Sequence, residues 1–146
     1  MTLYTIGFTK KNAAQFFGLL HAHGVRRLVD IRLRPSSQLS GFARRDDLAY
    51  FLPNLIGCEY HHNDLLAPTA EILNTYRATG DWEAYVARFE ALMDERGVPF
   101  SLDRASFEET PSCLLCSEPT PEQCHRRLVA ERIARTWAGT QIVHLG

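Results

Sequence analysis

The chain lacks the long apolar runs and the excess of one charge that would place it in a specialised class of protein. No apolar stretch approaches the roughly 20 residues that a membrane-spanning helix needs, so we expect no membrane association. The formal net charge of the 146 residues is −1, which provides no overall attraction to nucleic acid. Binding of an anion therefore requires a local cluster of basic side chains.

Signals for export and for a linker between domains are also missing. The N-terminus shows no charged region followed by an apolar one, so we expect a cytoplasmic protein. The four cysteines, at positions 58, 113, 116 and 124, are then expected to be reduced. Hydrophobic residues make up 45% and charged residues 23% of the chain, an ordinary globular balance, and the length predicts a single domain over residues 1–146.

Short apolar runs alternate with helical patterns along the chain. Five runs predict strands, at Thr2–Gly7, Val25–Arg32, Cys58–His62, Ser112–Ser117 and Thr140–Gly146. Helices are predicted between them, at Thr9–Gly24, from Arg44 to Pro53, at Asp81–Gly97 and at Thr120–Trp137. Thr9 is expected to cap the first helix, and Pro53 to end the second. The alternation predicts an α/β domain with three layers, a mainly parallel sheet of about five strands and crossover helices.

Polar side chains follow several of these strands. Parallel strands with right-handed crossovers end at one edge of the sheet, where open α/β sheets bind ligands. The candidates for that edge are Thr9 after the first strand, Arg32, Arg34 and Ser37 after the second, and Cys116 and Glu118 after the fourth. Polar strand ends are also common without any function, because they face water.

The segment LLCSEPTPEQCHRR, from Leu114 to Arg127, concentrates the residues with the richest chemistry. Thr120 to Gln123 has the form of a capping box, which predicts a helix that begins at Thr120 and directs its positive end toward the sheet edge. Helical spacing places Arg126 on the face that packs on the sheet, with His125 at its margin. Arg126 is then either an anchor for an anion or the partner of Glu118 or Asp30 in an ion pair.

Cys116 ends a buried strand and has two interpretations. Beside a helix N-terminus and Arg126 its pKa would be depressed and it could act as a nucleophile, whereas in an apolar setting it would be a small core residue. Cys113 lies three residues earlier, on the opposite face of the sheet, and is assigned to the core. The spacing of Cys116, Cys124 and His125 matches no recognised tetrahedral zinc site, so neither a metal nor another cofactor is predicted. A reversible disulfide between Cys116 and Cys124 remains an alternative.

Four motifs resemble the domain-of-unknown-function family 488 over nearly the whole chain. They are YTIGFT, DIRLRPSS, GCEYHH and, most specifically, LLCSEPTPEQCHRRLVAE. The resemblance implies an α/β domain in which Arg32, Cys116, Glu118, Cys124, His125 and Arg126 are shared positions. It implies no particular reaction.

The residues together favour an enzyme-like domain with an anion pocket at the edge of the sheet. Arg32 and Arg126 would hold a phosphate, a nucleotide or a carboxylate, and Cys116 would be the nucleophile, with His125 or Glu118 as the proton carrier. Further contacts to the anion are expected from Thr9, Arg34, Ser37 and Cys124. An enzyme of this kind would be a cysteine-dependent transferase or hydrolase that acts on a phosphorylated or nucleotide-like substrate. The alternatives are a nucleic-acid-binding module without catalysis and a thiol redox switch that uses Cys116 and Cys124.

Overall fold

A five-stranded parallel sheet forms the centre of the computed structural model, which describes residues 1–36 and 41–146. Its strands are β1 (Thr2–Gly7), β2 (Arg27–Asp30), β3 (Glu59–His62), β4 (Ser112–Cys116) and β5 (Gln141–Leu145). They lie in the order β3-β2-β4-β1-β5, and every neighbouring pair is parallel. The predicted α/β class and its parallel sheet are therefore confirmed.

Six helices in the described residues cover the two faces of the sheet. They are α1 (Ala13–Ala22), α2 (Arg45–Ile56), α3 (Ala70–Thr79), α4 (Trp82–Glu95), α5 (Arg104–Glu109) and α6 (His125–Thr136). One core cluster joins α1 and α2 to one face, and a second joins α4, α5 and α6 to the other. Side chains alternate along β4, so that Leu114 belongs to the α4–α6 side while Cys113 lies in the opposite core, as expected.

The start of α1 differs from the prediction. Asn12, rather than Thr9, caps the helix, because its side chain accepts a hydrogen bond from the Gln15 N–H at 2.8 Å and the Gln15 side chain accepts one from the Asn12 N–H. Lys10 before it adopts a φ of 63° and turns the chain. The N–H of Thr9 instead donates to the Ser117 carbonyl at 3.1 Å, which ties the β1 end to the β4 end.

The start of α6 also differs from the prediction, and the shift is larger than that of α1. The helix begins at His125, and residues 117–124 form an irregular loop, so the predicted capping box at Thr120 is wrong. The Thr120 side chain hydrogen-bonds the Glu122 carboxylate instead of a backbone N–H. The carbonyls of Pro121 and Glu122 accept hydrogen bonds from the Arg127 guanidinium, which holds the loop in its non-helical form.

Two further boundaries shift. The helix α2 continues through Pro53 to Ile56, because the ring of Pro53 lies on the exposed side and displaces nothing in the core. The strand β2 ends at Asp30, two residues before Arg32, although the N–H of Ile31 still bonds to the Leu115 carbonyl at 3.1 Å. Arg32 therefore leaves the sheet at its carboxyl edge.

The helices of the described residues are short. None combines the length and the apolar composition that crossing a bilayer requires.

Candidate functional site

A cavity of about 180 Å³ opens at the carboxyl edge of the sheet, where β2 and β4 lie side by side. Arg32, two residues beyond β2, and Cys116, the last residue of β4, both lie on its wall. The remaining wall comes from the segment after β2, from α3 and the residues before it, from α4, from the β4–α6 loop and from the start of α6. Its residues are Leu33, Arg34, Pro68, Leu73, Tyr76, Arg77, Trp82, Tyr85, Ser117, Glu118, Gln123, Cys124 and His125. The topology thus places a thiol and a guanidinium in one small concave space.

Cys116 and His125 form a hydrogen-bonded pair on this wall. The Sγ atom of Cys116 lies 3.4 Å from Nδ1 of His125, and Nε2 of the same ring lies 2.7 Å from the Ile31 carbonyl oxygen. Because a carbonyl only accepts, Nε2 carries a hydrogen and the ring is fixed with Nδ1 toward the sulfur. A thiol, an imidazole beside it and a carbonyl that orients the imidazole are therefore all present.

The environment polarises this pair. A hydrogen bond from the Cys124 thiol, with the charge of His125, holds the pKa of Cys116 well below its ordinary value despite burial. Burial acts to lower the pKa of His125, but the Cys116 charge and the ring's hydrogen bonds outweigh it and raise that pKa. The pKa of Cys124 is raised, by its hydrogen bond to Cys116 and by burial. These shifts favour a thiolate at Cys116, a charged imidazole at His125 and a protonated thiol at Cys124.

Arg32 is held rigidly, with one edge free. Its Nε and Nη2 atoms donate to the two carboxylate oxygens of Asp30, at 2.8 and 2.7 Å, and Nη2 also donates to the Ala43 carbonyl. The guanidinium lies 5.3 Å from the centre of the Phe8 ring. Its Nη1 atom is buried and has no hydrogen-bond partner among residues 1–36 and 41–146. Arg32 thus brings a cation with a spare N–H to the wall of the cavity.

Arg126 is fully buried but does not lie on the cavity wall. An ion pair with Glu118 or Asp30, one of the two predicted alternatives, is not formed among residues 1–36 and 41–146. Arg126 donates instead to the Glu118 carbonyl at 2.5 Å and to the Thr5 hydroxyl at 3.3 Å, and its Nη1 lies 3.8 Å from Cys124 Sγ. Within the described residues no carboxylate forms an ion pair with Arg126, and its partners are a carbonyl, a hydroxyl and a thiol.

The other predicted contacts are dispersed. Glu118 and Arg34 are exposed and border the cavity. Thr9 lines a separate, more open depression beside α1. Ser37 lies outside the described residues.

Three aromatic side chains on the wall were not predicted from the sequence. Trp82 and Tyr85 stack with ring centres 5.2 Å apart, and the Tyr76 hydroxyl donates to Oε1 of Gln123 at 3.2 Å. Helical spacing assigns Trp82 and Tyr85 to the core face of α4, and that face continues past the core to the cavity. The contact of Trp82, which is half-buried, and of Tyr85, which is buried, with the cavity is a property of the tertiary fold and leaves no signal in the sequence.

The same cluster has the donor atoms of a metal site. The Sγ atoms of Cys116 and Cys124 and a ring nitrogen of His125 all lie within 4.8 Å of one another, and all three residues are buried. The β4–α6 loop brings them together by folding back on the strand end, which residue spacing alone does not indicate. Two sulfurs and one imidazole leave a fourth tetrahedral position vacant.

Comparison with known proteins gives one family. The family model described as "Domain of unknown function DUF488" matches residues 12–133. No curated protein and no solved structure matches the chain.

Proposed function

The chain belongs to the DUF488 family, and we propose that this member is a cysteine-dependent transferase or hydrolase whose substrate is a small phosphorylated or nucleotide-like anion. The observation that carries the proposal is the 3.4 Å contact between Cys116 Sγ and His125 Nδ1 on the wall of a cavity. A thiolate paired with an imidazolium is the activated form of a cysteine nucleophile.

The chemistry proceeds in two balanced steps. The Cys116 thiolate attacks the phosphoryl or acyl group of the substrate, the bond to the leaving group breaks with its electron pair, and the leaving group takes the proton from Nδ1 of His125. Water, or the hydroxyl of an acceptor, then attacks the sulfur-bound group and returns a proton to Nδ1. The sulfur leaves as the thiolate, and the imidazolium is restored.

The walls of the cavity support an anionic substrate of modest size. Three cations, those of Arg32, Arg34 and Arg77, border the cavity and favour a negatively charged group there. The aromatic side chains of α3 and α4 offer flat surfaces against which a ring can stack. A volume of about 180 Å³ suits one ring or one phosphate group, while the rest of a larger molecule would extend through the opening.

Alkylation tests the nucleophile directly. With iodoacetamide and peptide mass spectrometry, we expect Cys116 to react at a pH well below 9.0, the ordinary thiol value. Cys58 and Cys113 are internal controls, because burial raises the pKa of both thiols, that of Cys58 to about 11. The variant His125→Gln should move the reactivity of Cys116 to higher pH. Reaction of the unaltered Cys116 with an apparent pKa of about 8.5 would contradict the proposal.

The same assay tests the substrate class. Phosphate monoesters and nucleoside monophosphates should slow the alkylation of Cys116, because they occupy the space in front of the sulfur. Uncharged nucleosides at equal concentration are the control and should protect less. Equal protection by charged and uncharged compounds would argue against an anion site.

A thiol redox switch is the second candidate, and the short distance between the two sulfurs favours it. A peroxide would oxidise the Cys116 thiolate to a sulfenic acid and leave as an alcohol or water. The Cys124 thiol would then displace water and form the disulfide. Mild treatment with hydrogen peroxide should yield a peptide bridged through Cys116 and Cys124. In Cys124→Ser, Cys116 should instead proceed to the sulfinic acid, and a protein that forms no bridge would exclude the switch.

A further inference from the structure

We propose that Cys116, Cys124 and His125 bind a thiophilic divalent cation of the zinc type, which reversibly blocks the nucleophile. The inference rests on the proposed function, since it concerns the regulation of the same site. It assigns to the cluster a second occupant, chemically distinct from the substrate.

The distances suit such a cation. With metal–sulfur and metal–nitrogen bonds of zinc length, the sulfur and nitrogen ligands of a tetrahedral site lie about 3.5 Å apart. Cys116 Sγ and His125 Nδ1 are 3.4 Å apart, and all three donor atoms fall within 4.8 Å of one another. The contraction from at most 4.8 Å to tetrahedral spacing is of the order of 1 Å.

The ligand set also selects the type of cation. Two sulfurs and an imidazole favour zinc and similar metals over magnesium or calcium, which prefer oxygen. The Nε2–H of His125 donates to the Ile31 carbonyl at 2.7 Å, the outer contact that orients a metal-binding imidazole. All three residues line the cavity, so water can take the fourth position from that side.

Cobalt provides the test, because its absorption reports sulfur ligation and tetrahedral geometry. Titration of the reduced protein with Co²⁺ should produce sulfur-to-cobalt charge-transfer bands and intense visible bands that saturate at one equivalent, and Zn²⁺ should abolish them. The bands should disappear in Cys124→Ser, which keeps a hydrogen-bond donor but removes a soft ligand. They should persist in Cys58→Ser and Cys113→Ser, which alter the two cysteines of the opposite core. Absence of bands in the unaltered protein, or their persistence in Cys124→Ser, would overturn the inference.

Alkylation separates this inference from the proposed function. Zn²⁺ should suppress the reaction of Cys116 with iodoacetamide, and a chelator should restore it. An ordinary pKa for Cys116 in the metal-free protein, together with cobalt bands, would contradict the proposed function and support the metal site. A low pKa for Cys116 with no cobalt bands, and no effect of Zn²⁺ on alkylation, would contradict the metal site and leave the proposed function intact.

Discussion

At the end of β1, Gly7 occupies a place with no room for a side chain. A Cβ atom there would lie 1.6 Å from the Glu118 carbonyl oxygen and 2.7 Å from Nη1 of Arg126. The β4–α6 loop thus rests directly on the backbone of β1, and the Arg126 guanidinium fits beside it. The positions of Cys124 and His125 depend on this contact, since both follow the loop.

We predict that Gly7→Ala destabilises the protein by more than the roughly 1–3 kcal/mol of ordinary overpacking, because the obstacle is backbone. Gly18→Ala is the matched control: nothing lies within 4 Å of its added Cβ, and in a helix the change should stabilise by about 0.5–1 kcal/mol. Urea unfolding measures both. A Gly7→Ala protein as stable as the unaltered one would show that the β4–α6 loop does not rest on the backbone of β1.

Between β2 and β3, a buried network ties the strands at the edge of the sheet that carries the cavity. The Asp30 carboxylate is fully buried and accepts hydrogen bonds from Arg32 and, at 2.6 Å, from the Tyr60 hydroxyl. The His62 ring in turn hydrogen-bonds the Arg32 carbonyl at 2.8 Å. The free edge of Arg32 is aimed by this network rather than by the strand itself.

Asp30→Asn should lower the free energy of unfolding by about 3–5 kcal/mol, since it leaves the Arg32 cation buried without its carboxylate. Tyr60→Phe removes one hydrogen bond to the same carboxylate and should lower the free energy of unfolding by about 1.5–3 kcal/mol. Chemical denaturation of the two variants gives the comparison. Equal losses would mean that the ion pair adds nothing beyond the hydroxyl contact.

Elements with a strong local pattern were predictable, and those set by distant contacts were not. The five strands follow from their apolar runs, and Arg126 could be placed over the strand ends from helical spacing. The start of α6 could not, because Arg127 takes the Pro121 and Glu122 carbonyls only once the helix is in place. The partners of Arg126 were also not predicted. They are a carbonyl and a hydroxyl, and both groups are too common along any chain for the sequence to single out one of them.

Across the whole molecule, the Cys116–His125 ion pair links stability to pH. The raised pKa of His125 contributes stability that is present below 6.5, its ordinary value, and is lost as the pH rises through the folded-state pKa. The depressed pKa of Cys116 contributes stability that is present above 9.0 and is lost as the pH falls through the folded-state pKa. Cys116 and His125 joined as an ion pair hold one proton between these two ordinary values, and so do the same two groups in the unfolded chain.

The stability difference between the protein and a Cys116→Ser, His125→Asn double variant should therefore be flat from pH 6.5 to 9.0. It should decline on both sides, by up to about 1.4 kcal/mol per pH unit. Urea unfolding at a series of pH values measures the difference, and the variant cancels the other titrating groups. A difference that does not decline below pH 6.5 or above pH 9.0 would mean that the two groups titrate as in the unfolded chain and form no ion pair.

The lateral order of the strands was beyond prediction, and it has a consequence for biosynthesis. β1 and β2 do not touch each other, because β4 lies between them. During translation β1 and β2 therefore cannot join one sheet until β4, residues 112–116, has been synthesised and pairs with both. The sulfur at position 116 meets its imidazole partner only when α6 follows. In a nascent chain Cys116 therefore lacks its imidazole partner, and the pair forms only in the last stages of assembly.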